Sequence, residues 1–261
     1  MRFLRNLSRG LGAGGGGKPR GKAGARAYAI GDIHGRLDLL NLLLAKIEAD
    51  IAARPPARNF IVFLGDYIDR GPDSAGVIER LRTYAPANAR PVFLAGNHEE
   101  VLLRILAGGG ENVLPSWLKF GGAECAQSYG LETESLRLLD EPAAIQLIQA
   151  KVPRAHREFL EELGDTFRFG DYLFVHAGIR PGIGIEDQDR HDLRWIREPF
   201  LSDAKEHGVM VVHGHTIVGR VEERPNRIAI DTGAYHSGVL TALGVEDDSR
   251  WLLSTGRDDA A

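Results

Sequence analysis

Three short apolar runs in the first hundred residues end in the same way, in a glycine followed by a polar side chain. Tyr28 to Ile30 leads into Gly31-Asp32, Phe60 to Leu64 into Gly65-Asp66, and Val92 to Leu94 into Gly96-Asn97 after one alanine. Apolar runs this short predict buried strands, and a glycine lets the chain turn sharply so that the polar residue stands just past the strand end. Between the first two runs, Leu37, Leu40, Leu43, Leu44, Ile47 and Ile51 recur at helical spacing until Pro55-Pro56 breaks the pattern. A second helix is expected over Ser74 to Tyr84. Strands alternating with helices define an α/β chain, and open α/β sheets place their sites beyond the carboxyl ends of the strands.

The stretch 101–170 reads as helical with glycine and proline punctuation, and is expected to form a cap beside the cleft. The strand pattern then resumes: Tyr172 to Val175 into His176, Val209 to Val212 into His213-Gly214-His215, Arg227 to Ile230 into Asp231, and Val239 to Val245. Residues 1–26 carry Arg2, Arg5, Arg9, Lys18, Arg20, Lys22 and Arg26 with no acidic residue, around the run Gly14 to Gly17. This segment is expected to be a disordered tail able to meet an acidic surface, leaving a domain over 27–255 and a short tail at 256–261. Since the whole chain has a net charge of −4, the body is more acidic still, which argues against specific nucleic-acid binding. No apolar stretch is long enough to span a bilayer. The single cysteine, Cys125, rules out an internal disulfide or a cysteine-based metal site and fits a reducing, cytoplasmic compartment. It is expected to be a small buried hydrophobe.

Chemistry concentrates in the segments Gly31-Asp32-Ile33-His34-Gly35, Gly65-Asp66-Tyr67-Ile68-Asp69-Arg70-Gly71 and Gly96-Asn97-His98-Glu99. An Asp and a His two apart beyond a strand can turn toward one ion, although alone that pairing is weak evidence. Together the three blocks resemble the signature of the phosphoprotein phosphatase branch of the calcineurin-like metallophosphoesterases, in the same order and spacing. His176 in Phe-Val-His-Ala-Gly, His215 in His-Gly-His-Thr, and the later segments Ile-Asp-Thr-Gly-Ala and Gly-Val-Leu-Thr-Ala-Leu resemble the carboxyl-terminal half of its bacterial and bacteriophage members. The resemblance covers about residues 27–245.

It implies a four-layer sandwich of two mixed sheets flanked by helices, and a pair of divalent ions. The first ion falls to Asp32, His34 and Asp66; the second to Asp66, Asn97, His176 and His215, with Asp66 shared. Oxygen and imidazole donors without thiolate suit manganese first, then iron or zinc, better than calcium. Such a pair supplies a nucleophile at neutral pH and neutralises the phosphate oxygens, so that a water or hydroxide shared by both ions attacks phosphorus in line. The resemblance gives proton donation to His98, oriented by Asp69. Arg70 and Arg197 are the expected phosphate clamp, because a planar guanidinium can donate paired hydrogen bonds to phosphate. Arg197 is preferred to Arg194 because Trp195-Ile196-Arg197-Glu198 resembles the Trp-x-Arg-Glu block of the phage enzymes.

Two departures stand out. Ala95 occupies a position where family members often carry arginine, and His213 precedes His215 by two residues, where the wider superfamily can place a further ligand; His213 is expected to be structural. His156, His191, His207 and His236 carry no motif, although His236 follows the strand-end segment Asp231 to Tyr235, and Trp117, Trp195 and Trp251 are expected to pack. The function implied is hydrolysis of phosphate monoesters on phosphorylated protein or peptide, on serine or threonine, with tyrosine left open as an alternative. The alternatives are a symmetric dinucleoside tetraphosphate hydrolase, which shares these blocks, and an inactive phosphoprotein-binding module.

Overall fold

The computed structural model describes residues 18–110 and 112–256. Ten strands form two sheets. The first contains β1 (Ala25–Ile30), β2 (Arg58–Phe63), β3 (Ala89–Phe93), β9 (Thr241–Glu246) and β10 (Ser249–Ser254), in the order β10-β9-β1-β2-β3. The second contains β4 (Thr166–Phe169), β5 (Tyr172–Val175), β6 (Met210–His213), β7 (Glu222–Glu223) and β8 (Arg227–Ala229), in the order β4-β5-β6-β8-β7. β1, β2 and β3 run parallel, as do β5, β6 and β8, while β4, β7, β9 and β10 pair antiparallel, so both sheets are mixed.

The alternation of side chains along each strand explains the layers. Tyr28, Ile30, Ile61 and Phe63 point to a core shared with the helices α1 (Leu37–Ala53) and α2 (Ser74–Arg82). Their neighbours Ala27, Ala29, Val62 and Leu64 point the other way, against Phe169, Tyr172, Phe174, Met210 and Val212 of the second sheet. That sheet in turn buries Leu173, Val175 and Val211 against Leu193 and Ile196 of α9 (Arg190–Trp195) and its C-cap. Both faces of each sheet are covered, which is why the strands read as continuous apolar runs rather than alternating ones. The result is the expected four-layer α/β sandwich.

The helical stretch consists of α3 (Asn97–Leu106), α4 (Val113–Trp117), a wide turn over Leu118–Gly122, α5 (Ala123–Ser128), α6 (Thr133–Leu138), α7 (Glu141–Lys151) and α8 (Arg154–Glu161). It ends before residue 170, because Thr166–Phe169 joins the second sheet. Nor is it only a cap: Leu102, Ile105, Leu136, Ile145 and Leu160 share one core with α1 and α2. A short α10 (Ala234–Ser237) precedes β9. No helix among the described residues is long and apolar enough to cross a membrane.

The boundary of the basic tail at residue 26 is corrected. Residues 1–17, on which most of the expected disorder falls, and 257–261 lie outside the described residues, but ordered structure begins well before Tyr28. Gly21 N–H donates to the Asp247 carbonyl at 2.6 Å, and the Tyr172 hydroxyl donates to the Pro19 carbonyl at 3.2 Å. Arg26 is wholly buried inside β1, its guanidinium bonded to Glu246 at 2.9 Å and to Asn59 at 3.2 Å. Its charge made it look like tail; a carboxylate from β9, far away in sequence, is what permits its burial.

Candidate metal centre

The carboxyl ends of β1, β2, β3, β5, β6 and β8 open toward the same place, and each is followed by a site residue: Asp32 and His34, Asp66, Asn97, His176, His215 and Asp231. Several of these residues stand in the left-handed region, where side chains other than glycine are rare: His34 at φ 45°, Asp66 at 49°, Asp69 at 70°, Arg70 at 67° and His215 at 62°. Backbone strain concentrated at strand ends is a mark of a functional site. Two glycines make the crowding possible. A Cβ on Gly96 would lie 2.1 Å from Asp66 Oδ1, and one on Gly214 would lie 2.0 Å from Asp32 Oδ1.

All six residues expected as metal ligands meet here, and all are buried. His34 Nε2 is 3.6 Å from Asp66 Oδ2, and His176 Nε2 is 3.4 Å from Asp66 Oδ1 and 3.1 Å from Asn97 Oδ1. Asp66, His176 and His215 each offer a donor atom within 4.8 Å of the others, and so do His34, Asp66 and His98. The Asp66 carboxylate therefore stands between two groups of donors, as a shared ligand must. Asp32 reaches the site through the His215 backbone N–H, which donates to its Oδ2 at 3.0 Å.

The donor set fits cations. His34 Nδ1 donates to the Ile68 carbonyl at 2.8 Å and His176 Nδ1 to the Leu64 carbonyl at 2.9 Å, so in the neutral rings the inward Nε2 carries a lone pair. His215 Nε2 is buried with no hydrogen-bond partner. Burial, with His176 nearby, pulls the pKa of His215 down to about 3, and burial likewise pulls that of His34 to about 3 against the pull of Asp66. Neutral imidazoles turned toward acceptors, and an orphaned ring nitrogen, are what a bound cation would satisfy. Asp32 makes the same point: burial first, then the carboxylates of Asp231 and Asp66, push its pKa well above the usual range.

Next to this group lies the expected proton donor. His98 Nδ1 bonds Asp69 Oδ2 at 2.6 Å, while Nε2 stands 3.2 Å from the Arg70 guanidinium and 3.9 Å from Asp66 Oδ2. Burial opposes charge on the imidazole, but the Asp66 and Asp69 carboxylates outweigh it and push its pKa up to about 9. A cleft of about 450 Å³ opens over these groups, lined by Arg70, Asn97, His98, Trp117, Phe120, Trp195, Arg197 and His215, among others.

The two arginines before and after Trp195 have different surroundings. Arg197 is exposed and faces the cleft, whereas Arg194 is buried and committed to Asp165 at 2.6 Å and Glu100 at 3.0 Å. His213 is turned from the donors, its Nδ1 on the Gly214 carbonyl at 3.0 Å and its ring against Phe200. His156 joins Tyr129 and Glu79, His191 stacks on Trp195, His207 meets Asn226, and His236 Nδ1 bonds the Gly233 carbonyl at 2.7 Å. Cys125 is buried. Ala95 is buried too, and the arginines among the cleft-lining residues are Arg70 and Arg197.

Four residues enter the site without having been assigned a role. Glu99 binds three backbone N–H groups at 2.8 Å, those of Asp66, Tyr67 and Gly96, and so ties the second segment to the third. Asp231 stands beside Asp32, and Tyr235 lies edge-on to the His34 ring at 5.4 Å and under the Arg70 guanidinium at 5.0 Å. Trp117, expected only to pack, donates its indole N–H to both oxygens of Asp69 at 3.1 Å. Trp195 likewise donates to Glu100 at 3.2 Å, and Trp251, which packs edge-on to Tyr28, donates to Asp50 at 3.1 Å. The position of Asp231 at a strand end was the one visible signal among these.

A two-sheet sandwich with carboxylate and imidazole donors gathered at its strand ends defines a metal-dependent phosphoesterase. The calcineurin-like phosphoesterase family matches residues 25–240, and the chain belongs to that family. Among curated relatives, an asymmetrical bis(5'-nucleosyl)-tetraphosphatase PrpE of Anoxybacillus flavithermus is 29% identical, over 82% of this chain and 88% of its own. Serine/threonine-protein phosphatase 1 of Salmonella typhimurium is 28% identical, over 84% of this chain and 91% of its own. A symmetrical bis(5'-nucleosyl)-tetraphosphatase of Yersinia pestis is 32% identical over 61% of this chain, but over only 44% of its own. The crystal structure of a candidate diadenosine tetraphosphatase superimposes with a TM-score of 0.61 at 20% identity, covering 92% of this chain and 99% of that one, a likeness of fold.

Proposed function

We propose that the chain is a two-metal protein phosphatase that removes phosphate from phosphoserine or phosphothreonine, with phosphotyrosine as the alternative substrate. The observation that carries this reading is His98, whose Nδ1 is held by Asp69 at 2.6 Å on the wall of a cleft that also contains Arg70 and Arg197. Asp32, His34 and Asp66 would hold one ion and Asp66, Asn97, His176 and His215 the other; manganese, iron or zinc suits these donors, with manganese first. When bound, two divalent ions supply Lewis acidity and a nucleophile at neutral pH.

The chain's own residues do the rest. Arg70 and Arg197 bind the phosphate oxygens and orient the ester, and His98 holds a proton at Nε2 for the departing serine or threonine oxygen. Asp69 accepts the Nδ1 proton, which turns Nε2 toward the cleft, and its charge favours the imidazolium that carries the second proton at Nε2. The Salmonella typhimurium relative, similar over nearly its whole length, supports the same reading. A buried, unpaired Cys125 fits a cytoplasmic setting. A recognition module without turnover would have no use for an imidazole held by a carboxylate beside a full donor set.

A second reading, hydrolysis of a dinucleoside tetraphosphate, is favoured by Phe120 and Trp195, whose rings line the same cleft where a base could stack. The asymmetrical relative from Anoxybacillus flavithermus matches 82% of this chain and the symmetrical one from Yersinia pestis 61%. Turnover of a phosphoserine peptide and of diadenosine tetraphosphate, measured side by side with manganese, decides between the two. Faster phosphate release from the peptide is expected; a preference for the dinucleotide would move the assignment to the second reading.

A further inference from the structure

We propose that Trp117 is a positioning residue for the proton donor, fixing the Asp69 carboxylate so that it meets His98 Nδ1; the proposal rests on the reading of His98 as general acid. The Trp117 indole N–H reaches Asp69 Oδ1 and Oδ2, both at 3.1 Å, and Oδ2 also takes His98 Nδ1 at 2.6 Å. A donor that spans both oxygens restrains rotation of the carboxylate about its Cβ–Cγ bond, a motion that would carry Oδ2 away from His98. All three side chains are buried, with exposures of 3% for Trp117, 0% for Asp69 and 6% for His98, so water cannot readily replace the indole. An unlocked carboxylate in a buried place would leave the imidazole free to turn, and proton transfer depends on its direction.

The indole comes from the last residue of α4, in the helical stretch outside the strand-end segments. The turn that follows reaches the neighbouring residue: Arg70 N–H donates to the Gly121 carbonyl at 2.9 Å. One short stretch thus holds Asp69 through a side chain and Arg70 through a backbone carbonyl. The first contact acts on the acid and the second on the backbone of the clamp, so a change confined to the indole N–H should be felt by proton donation and not by phosphate binding.

The test is Trp117→Phe, which keeps most of the ring and removes the N–H, assayed with manganese on phenyl phosphate and on p-nitrophenyl phosphate. Phenoxide is the poorer leaving group and needs the proton more. Losing one hydrogen bond to a charged group should lower kcat on phenyl phosphate by roughly tenfold, with KM and metal content unchanged. On p-nitrophenyl phosphate the loss should stay under about threefold. Trp117→His, which returns a ring N–H, should regain much of the lost rate, and its comparison with Trp117→Leu carries the same test should the phenylalanine variant fail to fold. An equal loss on both substrates, or no loss on either, would overturn the proposal. His98→Asn separates the two readings: a strong leaving-group dependence there with none in Trp117→Phe rejects Trp117 alone, whereas its absence in His98→Asn rejects the general acid and the positioning role together.

Discussion

The Glu99 carboxylate accepts the backbone N–H of Asp66 at 2.8 Å, so the first turn of α3 holds the loop that presents the Asp66 carboxylate. The same side chain accepts from Tyr67 and from Gly96, the N-cap of its own helix. Burial first, then the nearby Asp66, pushes the Glu99 pKa up to about 7, while the N–H groups around it oppose that rise.

Glu99→Gln should therefore be costly despite its nearly equal shape. An amide has one acceptor oxygen, and its NH₂ would face backbone N–H groups that now donate to the carboxylate. A loss of about 2–4 kcal/mol is expected from buried donors left unsatisfied. A urea midpoint shift of that size, with reduced metal content, checks it; an unchanged midpoint would show that the loop does not depend on Glu99.

His98→Asn should leave metal binding intact while lowering kcat on phosphopeptides by about 10²- to 10⁴-fold, the usual worth of a general acid. Elemental analysis and steady-state kinetics on one preparation check both halves. Turnover at the parental level would remove His98 from the reaction.

Arg197→Ala and Arg194→Ala should fail in different ways. Arg197 is exposed toward the cleft, so its loss should raise KM for a phosphopeptide by roughly 10- to 100-fold with little change in stability. Arg194, 10% exposed and paired with Asp165 and Glu100, should instead cost about 1–3 kcal/mol of stability as two carboxylates lose their partner. Kinetics and denaturation of both variants make the comparison. The opposite pattern would exchange their roles.

The strand-end donors were legible in the sequence because each follows a short apolar run, and because strand, glycine and donor lie within a few residues of one another. Trp117, Tyr235 and the role of Glu99 were not, because the partner of each comes from another segment: Asp69 for Trp117, His34 and Arg70 for Tyr235, Asp66 for Glu99. A tryptophan in an amphipathic helix reads as packing whether or not its N–H has an acceptor. Arg26 was misread for the same reason, since nothing near it in the chain reveals Glu246. The layers followed from strand periodicity, whereas the depth to which the helical stretch enters the core depends on tertiary packing that periodicity does not encode.

Far from the cleft, Asp50 gives a pH test of stability. Burial opposes its charge, but bonds from Arg54 at 2.7 Å, Tyr28 at 2.6 Å and Trp251 at 3.1 Å outweigh burial and hold its pKa below the ordinary value. A depressed folded pKa contributes stability that is present above the unfolded value of ~3.9 and is lost as pH falls through the folded one. Asp50→Asn should cost about 1–3 kcal/mol at pH 7 and flatten the acid limb of the stability curve below pH ~4. Parallel curves for parent and variant down to acid pH would contradict it.

Gly214→Ala places a methyl group against the Asp32 carboxylate, 2.0 Å from Oδ1, beside the donors proposed for the first ion. Relief requires the β6 loop or Asp32 to move, so a loss of about 1–3 kcal/mol is expected, with weaker metal binding. Thermal denaturation with and without added manganese checks this, the variant gaining less from the metal than the parent does.

The central claim is that Asp66 joins two sets of donors around a pair of ions. The most direct measurement strips the protein with a chelator and follows phosphate release from a phosphoserine peptide as manganese is returned. No release by the stripped protein, and recovery that saturates at two ions per chain, is the expected result. Full activity after chelation, or saturation at a single ion, would contradict the account.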